Sequence, residues 1–257
     1  FSDNLRKVLN RAAPIGMSKV VVAAGELEGF SLMLDLQSEK DYWLGTYELE
    51  LQEALHELVK PGMTAYDVGA NIGYISLILA RLVGETGRVY AFEALPANTE
   101  RWKTNVELNR LSDRMQLFNG AVSNSSSPVQ FLVHNSGGMG KVLGSAGREN
   151  TYQNKIEVTG ITLDEFVFNL GNPYPQVIKM DIEGGEVLAL PGMQRLLDKM
   201  HPVLVMELHG HESSLVAWQI LTRLGYKMCW MKPGFPKVSA LGELDWKAYL
   251  VALPESQ

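Results

Sequence analysis

Tyr66-Asp67-Val68-Gly69-Ala70-Asn71-Ile72-Gly73-Tyr74 stands between a polar break, Lys60-Pro61-Gly62, and an apolar run from Ile75 to Val83. The pattern predicts a β-strand ending in a tight glycine turn that opens directly into a helix. α/β proteins build nucleotide-binding crevices this way. Gly69 and Gly73 permit backbone angles and a close approach that a side chain would block. The helix N-terminus offers unpaired N–H groups to a polar or anionic ligand. The spacing is not G-x-G-x-x-G, and no G-x-x-x-x-G-K-S/T is present, so dinucleotides and triphosphates are disfavoured.

Working outward, the chain alternates strand and helix. Thr64 to Val68 is the first strand, and Ile72 to Val83 its helix. Gly87 to Glu93 is the second strand, and Pro96 starts a helix to about Asn109, where its missing N–H costs little. Met115 to Asn119, Gln176 to Asp181 and Pro202 to Leu208 follow as strands. Glu183 to about Leu197 and Leu215 to Leu224 read as helices, and Leu163 to Asn169 as a short one. Tyr226 to Met231 and Ala248 to Leu253 form a terminal pair with no helix between them. This order implies a mostly parallel sheet, helices on both faces and an antiparallel hairpin at one edge. Val129 to His134 and Lys155 to Thr159 are further strands, separated by a long Gly/Ser/Asn-rich loop over 135–154. A loop of that length points to function or disorder, and Gly137-Gly138-Met139-Gly140 suits it to an acceptor lid.

Residues 1–62 read as an N-terminal extension and 63–257 as the main domain. In the extension, Val20 to Ala24 and Phe30 to Leu34 suggest a hairpin. Thr46 is placed to cap a helix from Tyr47 to Val59. Tyr42, Trp43 and Tyr47 either pack this helix on the sheet or form a lid over the crevice.

The totals are those of a globular protein: 257 residues, 46% apolar, 20% charged, net charge −6. Without a basic block, nucleic acid is not the expected partner. No apolar run reaches the length of a membrane span, and Arg81 interrupts the one after Ile75. Cys229 is the only cysteine, which fits a reducing, cytoplasmic setting. The chain begins at Phe1, so a removed leader or neighbouring domain stays open.

Glu93 ends the second strand, where an acid can accept hydrogen bonds from a ribose diol. The glycine turn, this acid and the alternating pattern together point to an adenosine-containing ligand. For Asp67 two compatible roles stand open: anchoring the turn, or touching the ligand. Asp181 and Glu183 lie at the carboxyl end of one strand, Glu207 and His209 at that of the next. Ligands bind at such ends, and neighbouring strands about 4.8 Å apart would bring the four groups together. A histidine or a carboxylate of raised pKa there can take the proton from a hydroxyl. The set Asp181, Glu207 and His209 can instead hold a divalent cation such as magnesium. Taken singly, Glu183 and Glu186 can simply favour a helix N-terminus, and Lys179 can pair with a carboxylate.

Asp67-Val68-Gly69-Ala70-Asn71-Ile72-Gly73 and Glu93-Ala94-Leu95-Pro96 resemble the first two motifs of class I S-adenosylmethionine-dependent methyltransferases. Val177-Ile178-Lys179-Met180-Asp181-Ile182-Glu183-Gly184-Gly185-Glu186, with Thr46-Tyr47-Glu48 and Val205-Met206-Glu207-Leu208-His209, is similar to the signature of the FkbM family. The resemblance covers roughly residues 43–230. It implies a Rossmann-like fold with a seven-stranded sheet, and S-adenosyl-L-methionine as cofactor. It implies methyl transfer to an oxygen of a sugar or natural-product-like small molecule. The cofactor contacts it implies are Tyr47, Glu48, Asp67, Gly69, Ala70, Asn71, Gly73, Glu93, Ala94 and Ala121. Catalytic roles fall to Asp181, Glu183, Glu207 and His209. The usual adenine-side acid is missing; Gly120-Ala121-Val122-Ser123 occupies its place, leaving backbone and apolar contacts. A nicotinamide-dependent oxidoreductase and a non-catalytic cofactor-binding protein are the competing readings.

Overall fold

The chain is described here from a computed structural model covering residues 14–135, 138–147 and 152–255. Its first elements are an antiparallel pair, β1 (Met17–Val21) and β2 (Ser31–Asp35), then helices α1 (Lys40–Trp43) and α2 (Leu49–Leu58). The alternating unit follows: β3 (Thr64–Val68), α3 (Tyr74–Leu82), β4 (Arg88–Glu93), α4 (Pro96–Leu108) and β5 (Met115–Asn119). A side structure comes next: β6 (Ala121–Val122), β7 (Val129–His134), β8 (Gly140–Val142), β9 (Tyr152–Val158) and β10 (Gly160–Ile161). After a π-helical turn, Glu165–Asn169, come β11 (Val177–Met180), α5 (Glu186–Ala189), α6 (Gln194–Met200), β12 (Val203–His209), α7 (His211–Arg223), β13 (Tyr226–Trp230) and β14 (Lys247–Pro254).

Seven strands form one sheet in the order β13-β14-β12-β11-β3-β4-β5. β12, β11, β3, β4 and β5 run parallel, and β14 pairs antiparallel with both β12 and β13. This is the doubly wound, Rossmann-like architecture the sequence implied. Residues two apart on a strand share a face. Ala65, Val177, Val205 and Val251 join one core with α2, α3 and the β1–β2 hairpin. Tyr66, Ile178, Leu204 and Ala252 join the other, under α6 and α7. Helix α3 is buried from Tyr74 to Ala80, which fits its continuous apolar run.

Several local readings need correction. Thr46 does not cap α2; Glu48 holds that position, with a left-handed φ of 48°. The helix expected over 183–197 is broken into α5, a 3₁₀ turn at Leu190–Met193 and α6. Pro191 lacks the N–H that an unbroken α-helix needs there. Helix α7 begins at His211, four residues before its expected start. The 135–154 segment is not wholly loop: β8 and the start of β9 flank β7 in a three-stranded antiparallel sheet. Gly137 and residues 148–151 lie outside the described residues.

Candidate active site

The strand-end register fixes the site. Asp67 pairs across the sheet with Lys179, and Lys179 with Val205, so β3 and β11 end level with each other, opposite Met206, while β12 runs on to His209. The turn after β3 lies against the turn after β11. Gly69 has φ +80°, and a Cβ on it would stand 1.9 Å from the Asp181 carbonyl oxygen. Only glycine fits that approach. A cleft of about 270 Å³ opens above these turns.

One end of the cleft is lined by Gly69, Ala70, Asn71, Glu93 and Ala94. Glu93 accepts hydrogen bonds from the Asn71 and Leu95 backbone N–H groups, both at 2.8 Å. Asn98 donates to it at 3.4 Å and to the Gly138 carbonyl at 3.1 Å, which ties α4 to the β7–β8 turn. Burial pushes the Glu93 carboxyl up, and these donors offset part of that shift. Beyond Glu93 the wall is apolar, from Leu95, Ala121, Phe131 and Val142. A slot of this kind suits the faces of a flat heterocycle. Phe131 and Val142 were not anticipated, because they come from the side sheet.

Asp67 and Gly73 are in the turn but not on the cleft wall. Asp67 is fully buried; Ser76 Oγ donates to its Oδ2 at 2.5 Å, and Lys179 Nζ lies 3.2 Å from its Oδ1. Gly73 backs onto the Trp102 ring, whose Nε1 donates to Ser76 Oγ at 2.9 Å. Both residues therefore shape the turn from below. Asp67 anchors the turn through the side chains of Ser76 and Lys179. Lys179 also donates to the Gly69 carbonyl at 2.8 Å. Burial works against its charge, but the carboxylates of Asp67, Asp181 and Glu48 prevail and raise its pKa.

The other end gathers Tyr47, Glu48, Asp181, Glu183, Glu207 and Lys247. Tyr47 and Tyr42 pack with Tyr74, ring centroids 4.4 to 5.8 Å apart, so the aromatic cluster both seats α2 and borders the cleft. His209 is buried behind Glu207. Its Nε2 lies 2.8 Å from Glu207 Oε1 and 3.8 Å from Glu183 Oε2, and its Nδ1 is 3.9 Å from Asp181 Oδ1. Neither Asp181 Oδ1 nor His209 Nδ1 has a hydrogen-bond partner among the described residues. Lys247 ion-pairs with Glu207 from the other side. That residue escaped the sequence reading because only the antiparallel register of β14 sets it opposite His209.

The charges tune one another. Burial raises Asp181, the charge of Lys179 pulls it back, Glu207 adds to the rise, and it settles at about 7. For His209, burial opposes the proton, but Glu207, Asp181, Glu186 and Glu183 outweigh it and hold the imidazole at about 9. Glu207, despite burial, is held low by His209 and Lys247. The ligand atoms of Asp181, Glu207 and His209 lie within 4.8 Å of one another, a grouping that can take a metal ion. Glu186 serves the scaffold: it accepts from Ser213 Oγ at 2.9 Å and from the Ile182 N–H at 3.2 Å, fastening α5 to α7.

Residues 67–228 match the model of the methyltransferase FkbM domain, well over half of the chain. The chain belongs to the FkbM methyltransferase family. That family is one of S-adenosylmethionine-dependent methyltransferases. Among curated relatives, the hexuronic acid methyltransferase AglP of Haloferax volcanii is 25% identical over 188 residues, 72% of this chain and 73% of that protein. A Schizosaccharomyces pombe protein provisionally named as a ribosomal RNA methyltransferase is 30% identical over 125 residues, 48% of this chain and 42% of that one. This FkbM-family chain therefore spans less than half the length of the yeast relative. Among solved structures, one provisionally named as an rRNA methylase from Clostridium thermocellum superposes with a TM-score of 0.50 at 12% identity, covering 79% of this chain and 92% of that one. It speaks to fold alone. No helix among the described residues is long and apolar enough to cross a membrane.

Proposed function

We propose that this FkbM-family chain methylates a hydroxyl oxygen of a small acceptor, with a sugar the favoured class. The observation that carries the reading is the Asp181 side chain at the end of β11: it lines the same cleft as the glycine turn, while its buried, unpartnered Oδ1 lies 3.9 Å from His209 Nδ1. The AglP likeness supports a sugar as acceptor.

When bound, S-adenosylmethionine supplies a methyl carbon on a positively charged sulfur. Gly69, Ala70 and Asn71 would seat its amino-acid end, Glu93 its ribose, and the Ala121, Phe131 and Val142 wall its adenine. Tyr47 and Glu48 would close the cleft from the α2 side. Asp181 acts as general base. It would accept the proton that the acceptor hydroxyl gives up on methylation. A base near pKa 7 is matched to work at neutral pH. His209 with its proton, and Glu207 held between it and Lys247, set the charge around Asp181. Glu183 borders the acceptor.

A divalent cation on Asp181, Glu207 and His209 is the second reading, favoured by their grouping. It requires a neutral imidazole at His209. The nicotinamide reading loses its support with the family assignment.

Calorimetric titration with S-adenosylhomocysteine tests the cofactor half. Binding to wild type and at least about tenfold weaker binding to Glu93→Ala are expected; equal binding would sink the ribose assignment. A labelled-methyl screen of sugars and other hydroxyl acceptors tests the transfer. Cofactor binding with no transfer to any acceptor would favour a non-catalytic role.

A further inference from the structure

A second cavity, about 290 Å³, lies on the far side of the same acids, between the start of α2 and the β12–β14 part of the sheet. It is about as large as the cofactor cleft. Glu48, Lys179, Asp181 and Glu207 line both spaces, so these polar residues form the partition between them. Beyond the partition the character changes. Leu51, Val205 and Met231 are almost fully buried, yet they face open volume, with Tyr249 alongside. Leu49 lines the chamber too and is half exposed, which marks the way in from solvent.

Protein interiors are close-packed and leave few voids larger than a water molecule. An apolar chamber near 300 Å³ is at the lower bound of sites that hold small organic ligands. Its buried charged groups sit at one end, beside the proposed base, while the exposed Thr46 and Glu50 border the mouth with Leu49. A purely polar acceptor would leave the chamber empty. A purely apolar one would leave the acids unmet. The backbone at the partition is also unusual. Glu48 adopts φ 48°, a left-handed conformation uncommon for a non-glycine residue, and so carries its carboxyl to the boundary of both cavities.

We propose that the methyl acceptor is an amphiphile. Its hydroxyl-bearing head meets Asp181 and Glu207, and its apolar limb, a short alkyl chain or a ring, fills the chamber between α2 and β12–β14. The proposal rests on the methyl-transfer reading for the role of the head, but not for the occupancy of the chamber.

Straight-chain alcohols from methanol to octanol are the probe, because the hydroxyl tests the head and the chain tests the chamber. Each is titrated into the full chain with S-adenosylhomocysteine present. Binding should tighten on the order of fourfold per methylene until the chamber is full. The Met231 methyl resonance should shift on binding, while that of Met115, on β5, should not. Leu51→Trp fills the chamber, and Leu49→Glu puts a charge at its exposed mouth. Either should flatten the dependence on chain length and leave S-adenosylhomocysteine affinity unchanged. Leu49→Glu alters an exposed side chain, so it keeps the test sound even if Leu51→Trp fails to fold. No alcohol binding, affinity independent of chain length, or a dependence that survives Leu49→Glu would overturn the proposal. If S-adenosylhomocysteine fails to bind while the alcohols still fill the chamber, the methyl-transfer reading falls and the chamber stands.

Discussion

Lys179 Nζ lies 3.2 Å from Asp67 Oδ1 and donates to the Gly69 carbonyl at 2.8 Å. One ammonium thus joins two adjacent strands and holds the glycine turn from beneath. Both side chains are essentially out of solvent. Removing one partner of a buried pair strands the other charge.

Lys179→Met should therefore destabilise the protein by about 3–5 kcal/mol. It should also weaken S-adenosylhomocysteine binding, because the turn loses the donor on Gly69. The double variant Lys179→Met, Asp67→Asn should recover part of the stability, since no unpaired carboxylate remains, but not the affinity. Denaturant unfolding and calorimetry measure the two effects. A double variant less stable than the single would show that the pair is not coupled as described.

Asp181 is the residue on which transfer should depend most. With its pKa at about 7, the rate should rise with pH through that region as the carboxylate forms. It should fall again near 9, where His209 loses the positive charge it holds between Glu207 and Asp181. The two limbs report the coupled cluster, not isolated side chains. Asp181→Asn should lower turnover by about 10²–10⁴-fold, with S-adenosylhomocysteine affinity little changed. A pH–rate profile on the labelled-methyl assay checks both. A flat profile between pH 6 and 8 would remove Asp181 as the base.

His209 also links stability to pH. Its folded pKa, about 9, exceeds the ordinary 6.5, so folding favours the protonated form. That contribution is whole below about 6.5, declines as pH rises and is gone above about 9. The gap in melting temperature between wild type and His209→Gln should therefore narrow from pH 6 to pH 9.5. A gap that widens would mean the imidazole is buried neutral.

How far this site could be read from sequence follows from the range of the contacts that make it. The glycine turn, Glu93 and the strand-end pairs Asp181–Glu183 and Glu207–His209 are local patterns, and the mostly parallel sheet follows from alternation, while its seven strands were implied only by the family resemblance. Lys247 could not be read this way. It reaches Glu207 only because β14 inserts between β13 and β12, a pairing with no local signature. Phe131 and Val142 enter the cleft from a side sheet that includes a three-residue strand, too short to show a period. Asp67 was visible but ambiguous, since its partners Ser76 and Lys179 lie on different elements. The apolar chamber was hidden for the same reason: Leu51, Val205, Met231 and Tyr249 read individually as core.

Metal dependence turns on Glu207. The carboxylate already meets two cations, the His209 imidazolium and the Lys247 ammonium. A divalent ion held by His209 would have to deprotonate the imidazole, and deprotonating a group held at about 9 is unfavourable at neutral pH. Transfer should therefore survive dialysis against EDTA, with less than about twofold loss, and added magnesium should not raise it. Lys247→Met frees Glu207 of one cation, so this variant should bind manganese more tightly than wild type, read as paramagnetic line broadening near His209. Loss of activity on chelation, restored by magnesium, would reverse the assignment and make Asp181, Glu207 and His209 ligands.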